Sequence, residues 1–120
     1  MATPIKLMSI ADNEITQAQG LMYVRDLPEM TGMLFKFQQP RVLSFWMMNT
    51  YLPLEIAFID RDNMIVKTER MIPMSTRSVT SGRPCVMALE VMPGVLEKAG
   101  GGVGKKALVD FEAKQVVFDD

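Results

Sequence analysis

The segment FWMMNTYLPLE, residues 45–55, places polar side chains inside a run of residues typical of a protein core. The amide of Asn49 offers two donors and an acceptor, and leaving such a group buried without partners costs about 1–3 kcal/mol. In one interpretation Asn49 and Thr50 hold a tight turn between two buried strands. In the other, they face a cavity walled by Trp46 and Met47, the mixture of polar and apolar groups expected of a small-molecule site. Both interpretations can hold together.

Three charged residues extend this candidate site. Arg25 follows the apolar stretch GLMY, where a guanidinium either pairs with a buried carboxylate such as Glu55 or Glu90 or binds an anionic ligand. The other members of the predicted strand CVMALEV are apolar, so the Glu90 carboxylate is expected to have a cationic partner. Glu55 and Glu90 are also the candidate catalytic pair, because two carboxylates whose pKa values differ can act as acid and base.

Composition disfavours several other chemistries. The chain has no histidine, which removes the commonest general base and histidine metal sites. Thioethers suit Cu(I), but the adjacent Met47 and Met48 would point to opposite faces of a strand and could not bind one ion. We therefore predict no metal site. We also predict no cofactor. Cys85 has no histidine to activate it and is predicted to be a small buried hydrophobe. The GGGVG run lacks the strand-to-helix context of a phosphate loop and is predicted to end a helix.

Length and charge bound the class of protein. A chain of 120 residues is predicted to form one domain, residues 1–120, with a single core. Its 48% hydrophobic content and its 13 basic against 14 acidic residues indicate a globular protein. There is no basic run for nucleic acid or an anionic membrane, so neither is a predicted partner. The start MATPIKLMSIADNE lacks a basic leader and a long apolar stretch, which predicts a cytoplasmic location.

The elements that must position these residues are short. Strands are predicted at residues 3–10, 32–37, 41–48, 54–59, 64–70, 85–91, 106–111 and 114–118. Turns are predicted at 38–40 and 60–63, and a long loop at 72–84. Short helices are predicted from Asp12 or Asn13 to Met22 and after Pro93. About eight strands and two helices predict an α+β fold with a mostly antiparallel, curled sheet or a small β-barrel.

Several blocks along the chain resemble the domain of unknown function 192 family. They are GLMYVR at 20–25, GMLFKF at 32–37, FWMMNT at 45–50, PLE at 53–55, ALE at 88–90 and the later glycines. The resemblance covers about residues 5–111 and implies a small barrel-like domain with no established activity. The chain departs from the family pattern at Glu55, usually Asp, at Met48, often Lys, and at Lys105, usually Asp. These departures count against a mechanism that needs a short carboxylate or a lysine more than against a binding pocket.

The leading hypothesis is therefore a binding module for a small, partly apolar ligand. The alternatives are a hydrolase or lyase that uses Glu55 and Glu90, and a protein-interaction domain that presents a sheet edge or the 75–84 loop. The residues predicted to bind the ligand are Arg25, Trp46, Met47, Asn49, Thr50 and Glu55.

Overall fold

The computed structural model describes residues 3–119 of the chain. The domain predicted for residues 1–120 thus includes residues 1, 2 and 120, which lie outside the described part. The elements are β1 (Ile5–Ala11), α1 (Glu14–Gln19), β2 (Thr31–Phe45), β3 (Leu54–Ile59), β4 (Ile65–Met71), β5 (Val79–Val91), α2 (Val95–Lys98), β6 (Lys106–Asp110) and β7 (Gln115–Asp119). Within residues 3–119, neither helix is long and apolar enough to cross a membrane.

The strands form one sheet in the order β4-β3-β5-β2-β1-β7-β6. All neighbouring pairs are antiparallel except β1 and β2, which α1 connects. The sheet curls until its two edges meet at one bridge between Met64 and Lys106, beside a hydrogen bond from Ile65 N to Lys105 O of 2.9 Å. The α+β class and the curled, mostly antiparallel sheet are confirmed. The described residues form seven strands instead of about eight. The sheet is a half-barrel whose edges touch only around that bridge, so the small barrel predicted as the alternative to a curled sheet is not confirmed.

The strand count differs because β2 continues through the predicted turn at residues 38–40. Its pairing with β5 is interrupted after Lys36 and resumes where Arg41 lies opposite Cys85. Pro40 has no N–H to give to the ladder and lies in this exposed interruption. An irregularity of this kind bends a strand without ending it. The two strands predicted on either side of residues 38–40 are therefore one.

The predicted loop at 72–84 is also partly wrong, because β5 begins at Val79. Val79 and Ser81 are buried while Thr80 between them is exposed, the alternation of a strand with one solvated face. The Ser81 hydroxyl accepts a hydrogen bond from Leu43 N at 2.9 Å and donates one to Arg83 O at 2.7 Å. Since side-chain hydrogen bonds satisfy it, a hydroxyl-rich segment can be buried in the sheet.

Apolar side chains cover both faces of the sheet. One face packs against α2 and includes Leu34, Leu89 and Val91; we call it the α2 face. The opposite face, the α1 face, includes Phe35, Ile56, Phe58, Cys85 and Ala88. Cys85 is fully buried there, as predicted. Neighbouring residues of a strand point to opposite faces. Two residues that are adjacent in sequence can therefore have side chains on different faces of the sheet, in different environments.

Candidate ligand-binding site

A half-open cleft of about 270 Å³ lies on the α1 face. One wall is α1 with the residues that follow it, and the other is β2 from Phe35 to its end, with Trp46 just beyond it. The apolar part of the lining includes Leu21, Phe35, Phe45 and Trp46, and the polar part includes Gln17, Arg41, Ser44, Thr50 and Glu90. Trp46, Thr50 and Glu90 were candidates on sequence grounds, and the structure brings these three to one cleft.

Local hydrogen bonds position α1 as the outer wall. The side chain of Asn13 accepts a hydrogen bond from Thr16 N at 2.9 Å and so begins the helix, as predicted. The helix ends three residues earlier than predicted, because Gly20 has φ 51° and turns the chain across Phe35. Gln17 Nε2 then donates a hydrogen bond of 2.8 Å to Lys36 O, which fastens the helix to β2.

The inner wall is aromatic. The rings of Phe35 and Phe45 meet edge to face with centroids 4.9 Å apart, and Phe45 also packs against Phe58 at 5.9 Å. Phe35 is buried, whereas Trp46 is 48% exposed at the rim. Such rings offer a large apolar surface and a negative π face to whatever enters the cleft.

Glu90 places a carboxyl group among these apolar residues. It pairs with Met33 of β2 on one side and with Ile56 of β3 on the other, and only 4% of the residue is exposed. Burial raises the pKa of the Glu90 carboxyl to about 8. The ion pairs within residues 3–119 involve other residues, so the cationic partner expected from the sequence is missing. No fully buried side-chain oxygen or nitrogen in this part of the chain lacks a hydrogen-bond partner, so the unpaired carboxyl oxygens of Glu90 are open to the cleft. The carboxyl lines the cleft.

Glu55, the other candidate acid, lies on the opposite face of the sheet. It pairs with Val91 while its neighbour Ile56 pairs with Glu90, so the two carboxylates point away from each other. Glu55 Oε1 accepts hydrogen bonds from Gly94 N at 3.2 Å and Leu96 N at 3.0 Å and so caps the start of α2. The structure therefore does not bring the two candidate catalytic residues together.

The residues around Asn49 form a turn. Asn49 adopts φ 57°, and its carbonyl accepts a hydrogen bond from Tyr23 N at 2.9 Å. The Thr50 hydroxyl donates to Met48 O at 3.2 Å, and Thr50 also reaches the cleft lining. Met47 is 2% exposed and packs in the α1-face core, whereas Met48 is exposed. Met47 and Asn49 are therefore outside the cleft lining.

Arg25 lies on the surface, away from both acids. Its guanidinium carbon is 4.9 Å from the centroid of the Tyr51 ring, and the ion pairs within residues 3–119 do not join it to Glu55 or Glu90. The cation that does line the cleft is Arg41, which lies 4.6 Å over the Phe37 ring. No local sequence pattern identifies Arg41 as a site residue, because it lines the cleft only after α1 has packed against β2.

The chain matches a model of the family DUF192, described as Uncharacterized ACR, over residues 3–109. The chain belongs to the DUF192 family. It is similar to a crystal structure from Sinorhizobium meliloti 1021, provisionally described as a transcription regulator. The two are 36% identical over 81% of this chain and 76% of that chain, with a TM-score of 0.77.

A second similar crystal structure is of a protein of unknown function from Novosphingobium aromaticivorans DSM 12444. It is 29% identical over 83% of this chain and 73% of that chain, with a TM-score of 0.78. A comparison of this DUF192 chain with functionally curated proteins gave no match. The comparisons therefore establish family and fold, and the function is argued from the cleft.

Proposed function

We propose that this DUF192 protein is a binding module for a small, partly apolar ligand, held in the cleft between α1 and β2. The observation that supports the proposal is the combination of an aromatic wall with the buried carboxyl of Glu90, which has no protein partner within residues 3–119. Ligand sites typically combine an apolar lining with a few convergent polar groups.

Each part of the lining has a distinct role in this proposal. Phe35 and Trp46 contact the apolar body of the ligand, while Thr50 and Ser44 offer hydroxyl groups near the rim. Glu90 lies at the inner, buried end and fixes the orientation of the ligand. The other residues predicted to bind ligand, Arg25, Met47, Asn49 and Glu55, are outside the cleft lining.

A matched pair of substitutions on α1 tests the proposal. Ala18 lines the cleft, whereas Ile15 on the same helix is 80% exposed and does not line it. Small aromatic fragments are to be screened by NMR, with the indole signal of Trp46, the single tryptophan, as the local reporter. We expect fragments that shift this signal to lose binding in Ala18→Phe and to keep it in Ile15→Phe. A screen without a fragment that shifts it, or equal binding to both variants, would refute the proposal.

An acid-base enzyme is not the function we propose, because the register of β3 and β5 puts Glu55 and Glu90 on opposite faces. A reaction at the cleft would have to rely on Glu90 with hydroxyl or amide groups. Binding requires only an apolar wall with a few polar groups, and the cleft has both.

We also propose that the chain does not bind nucleic acid, although one relative is provisionally described as a transcription regulator. Its net charge of −1 offers little of the positive charge that binding to a phosphate backbone requires. Fluorescence anisotropy with a labelled DNA duplex at low salt is expected to show no saturable binding. Saturable binding that weakens steeply with added salt would contradict this view.

We further propose that residues 1–120 fold as one cytoplasmic domain. Pairing of β1 with β7 joins the two ends of the described chain within one sheet. A single cooperative unfolding transition, seen alike by circular dichroism and by Trp46 fluorescence, is the expected result. Two separated transitions would contradict a single domain.

A further inference from the structure

We propose that the ligand of this cleft is a small organic cation, an amine with an apolar or aromatic body, whose ammonium group pairs with the carboxylate of Glu90. The inference rests on the proposed function and narrows it to one ligand class. It follows from three features of the cleft: a buried acid without a counter-charge, aromatic rings beside it, and a small volume.

The first feature is the missing counter-charge at Glu90. Burial of a carboxyl group is unfavourable unless it is paired, and removal from water makes its ionised form especially costly. Its strand neighbours are Met33 and Ile56, both apolar. The charged side chains that line the cleft are Glu14 from α1 and Arg41 from β2, and neither forms an ion pair with Glu90.

Arg41 is too distant to supply the missing charge. It lies opposite Cys85, five residues before Glu90 along β5, which corresponds to roughly 17 Å of strand. The guanidinium is stacked on the Phe37 ring instead, and the two charges form no ion pair. A ligand ammonium group would provide the positive charge that the protein does not.

The second feature is the aromatic wall. Phe35, Phe45 and Trp46 line the same cleft as the carboxyl group, and ring faces attract a cation within about 6 Å. The same rings bury an apolar body. An anionic ligand would gain no attraction from the ring faces and would be repelled by Glu14 at the helix.

The third feature is size. A volume of about 270 Å³ is just below the usual range of drug-sized pockets, roughly 300–1,000 Å³. The cleft therefore suits an amine with one ring or a short aliphatic chain. Of a peptide or a lipid, only one side chain or one chain end would fit inside this volume.

Binding of such a cation is coupled to loss of a proton. In the free protein Glu90 keeps its proton at neutral pH, because burial raises its pKa to about 8. Binding exchanges that proton for the ligand: the protonated carboxyl and the ammonium ion give the carboxylate-ammonium pair and one released proton. The apparent affinity should therefore rise about 50-fold from pH 6 to pH 8 and level off above it, since the ionised fraction of Glu90 rises by that factor.

A matched pair of ligands tests the inference. Phenethylammonium and phenethyl alcohol share one aromatic body and differ in the charged group. Titration calorimetry at pH 6, 7 and 8 should show the amine tightening about 50-fold, with proton release, and binding at least about tenfold more tightly than the alcohol at pH 8. Glu90→Gln should abolish both the pH dependence and the preference for the amine. Glu97→Gln, which removes an exposed acid from α2 outside the cleft, serves as the control for removal of one negative charge and should retain both.

The other outcomes separate this inference from the proposed function. Tighter binding of the alcohol, or an amine affinity that falls as the pH rises, would show that Glu90 acts as a neutral donor; the inference would fail while the binding function stood. If neither ligand binds, the inference is overturned, and the fragment screen with Ala18→Phe and Ile15→Phe decides the fate of the binding function.

Discussion

Replacing Glu90 with glutamine should make the protein more stable at pH 8 and change little at pH 5. Glutamine keeps the shape of the side chain but cannot ionise. In the folded chain the Glu90 carboxyl holds its proton up to a pKa of about 8, whereas the ordinary value is 4.5. Between those two values the unfolded chain binds fewer protons, so the free energy of unfolding falls as the pH rises.

The size of this effect follows from the two pKa values. One pKa unit corresponds to about 1.4 kcal/mol. The loss begins near pH 4.5 and is complete above pH 8 at about 5 kcal/mol, and about 3 to 4 kcal/mol of it falls between pH 5 and pH 8. This is a large share of the stability of a small domain, roughly 5–15 kcal/mol.

Urea unfolding of both proteins at pH 5, 6, 7 and 8 measures the difference directly. The pKa of Glu69 is lowered by the hydrogen bond from Arg77 at 2.9 Å. Glu69 titrates equally in the wild type and in Glu90→Gln, so its contribution to the difference in stability cancels. The stability of the wild type should fall relative to Glu90→Gln by about 3 to 4 kcal/mol from pH 5 to pH 8. Parallel curves over this range would show that the carboxyl is solvated or paired when folded, and would refute the reasoning about the cleft.

Substitutions at three further positions test separate parts of the structure. Glu55→Ala should lower the free energy of unfolding in urea by about 1–2 kcal/mol, since the Gly94 and Leu96 amides lose their acceptor; Glu55→Gln should cost less, and equal costs would contradict the cap. Gly32→Ala should lower the free energy of unfolding in urea by about 1–3 kcal/mol, because a Cβ there would lie 2.8 Å from the Glu90 carbonyl oxygen; an unchanged free energy of unfolding would contradict this packing. Asn49→Gly should leave stability and fragment binding unchanged, whereas Asn49→Val should cost about 1–2 kcal/mol because φ is 57°; loss of fragment binding in Asn49→Gly would place the amide in the site.

The elements that could be predicted from sequence are those set by local pattern. The hairpin turn at 60–63 lies between β3 and β4 as predicted, and the Asp60 side chain accepts hydrogen bonds from Asp62 N and Met64 N. The interruption at Pro40 was mistaken for a turn, because a bulge and a turn share the same residue types. Ser81 in a strand was missed because its burial depends on Leu43, distant in sequence.

The site was predictable only in part, for a related reason. Two of the predicted residues, Thr50 and Glu90, are polar groups within apolar runs, and Trp46 is an aromatic residue close to Thr50. Such local patterns can be recognised in the sequence. Gln17 and Arg41 have no such signal, since they reach the cleft only when α1 folds over β2. Glu55 looked equivalent to Glu90 in sequence, and only the strand register separates the two.

Because Cys85 is buried, the reactivity of its thiol reports how often the surrounding core opens. It is the single thiol of the chain and lies fully buried on β5, opposite the point where β2 resumes its pairing. A thiol reagent can reach it only after the core on the α1 face opens around it. The rate of labelling under native conditions, compared with that of the unfolded chain, therefore measures the free energy of that opening. That measurement needs no engineered cysteine, and a ligand that binds the cleft should slow it in proportion to its occupancy.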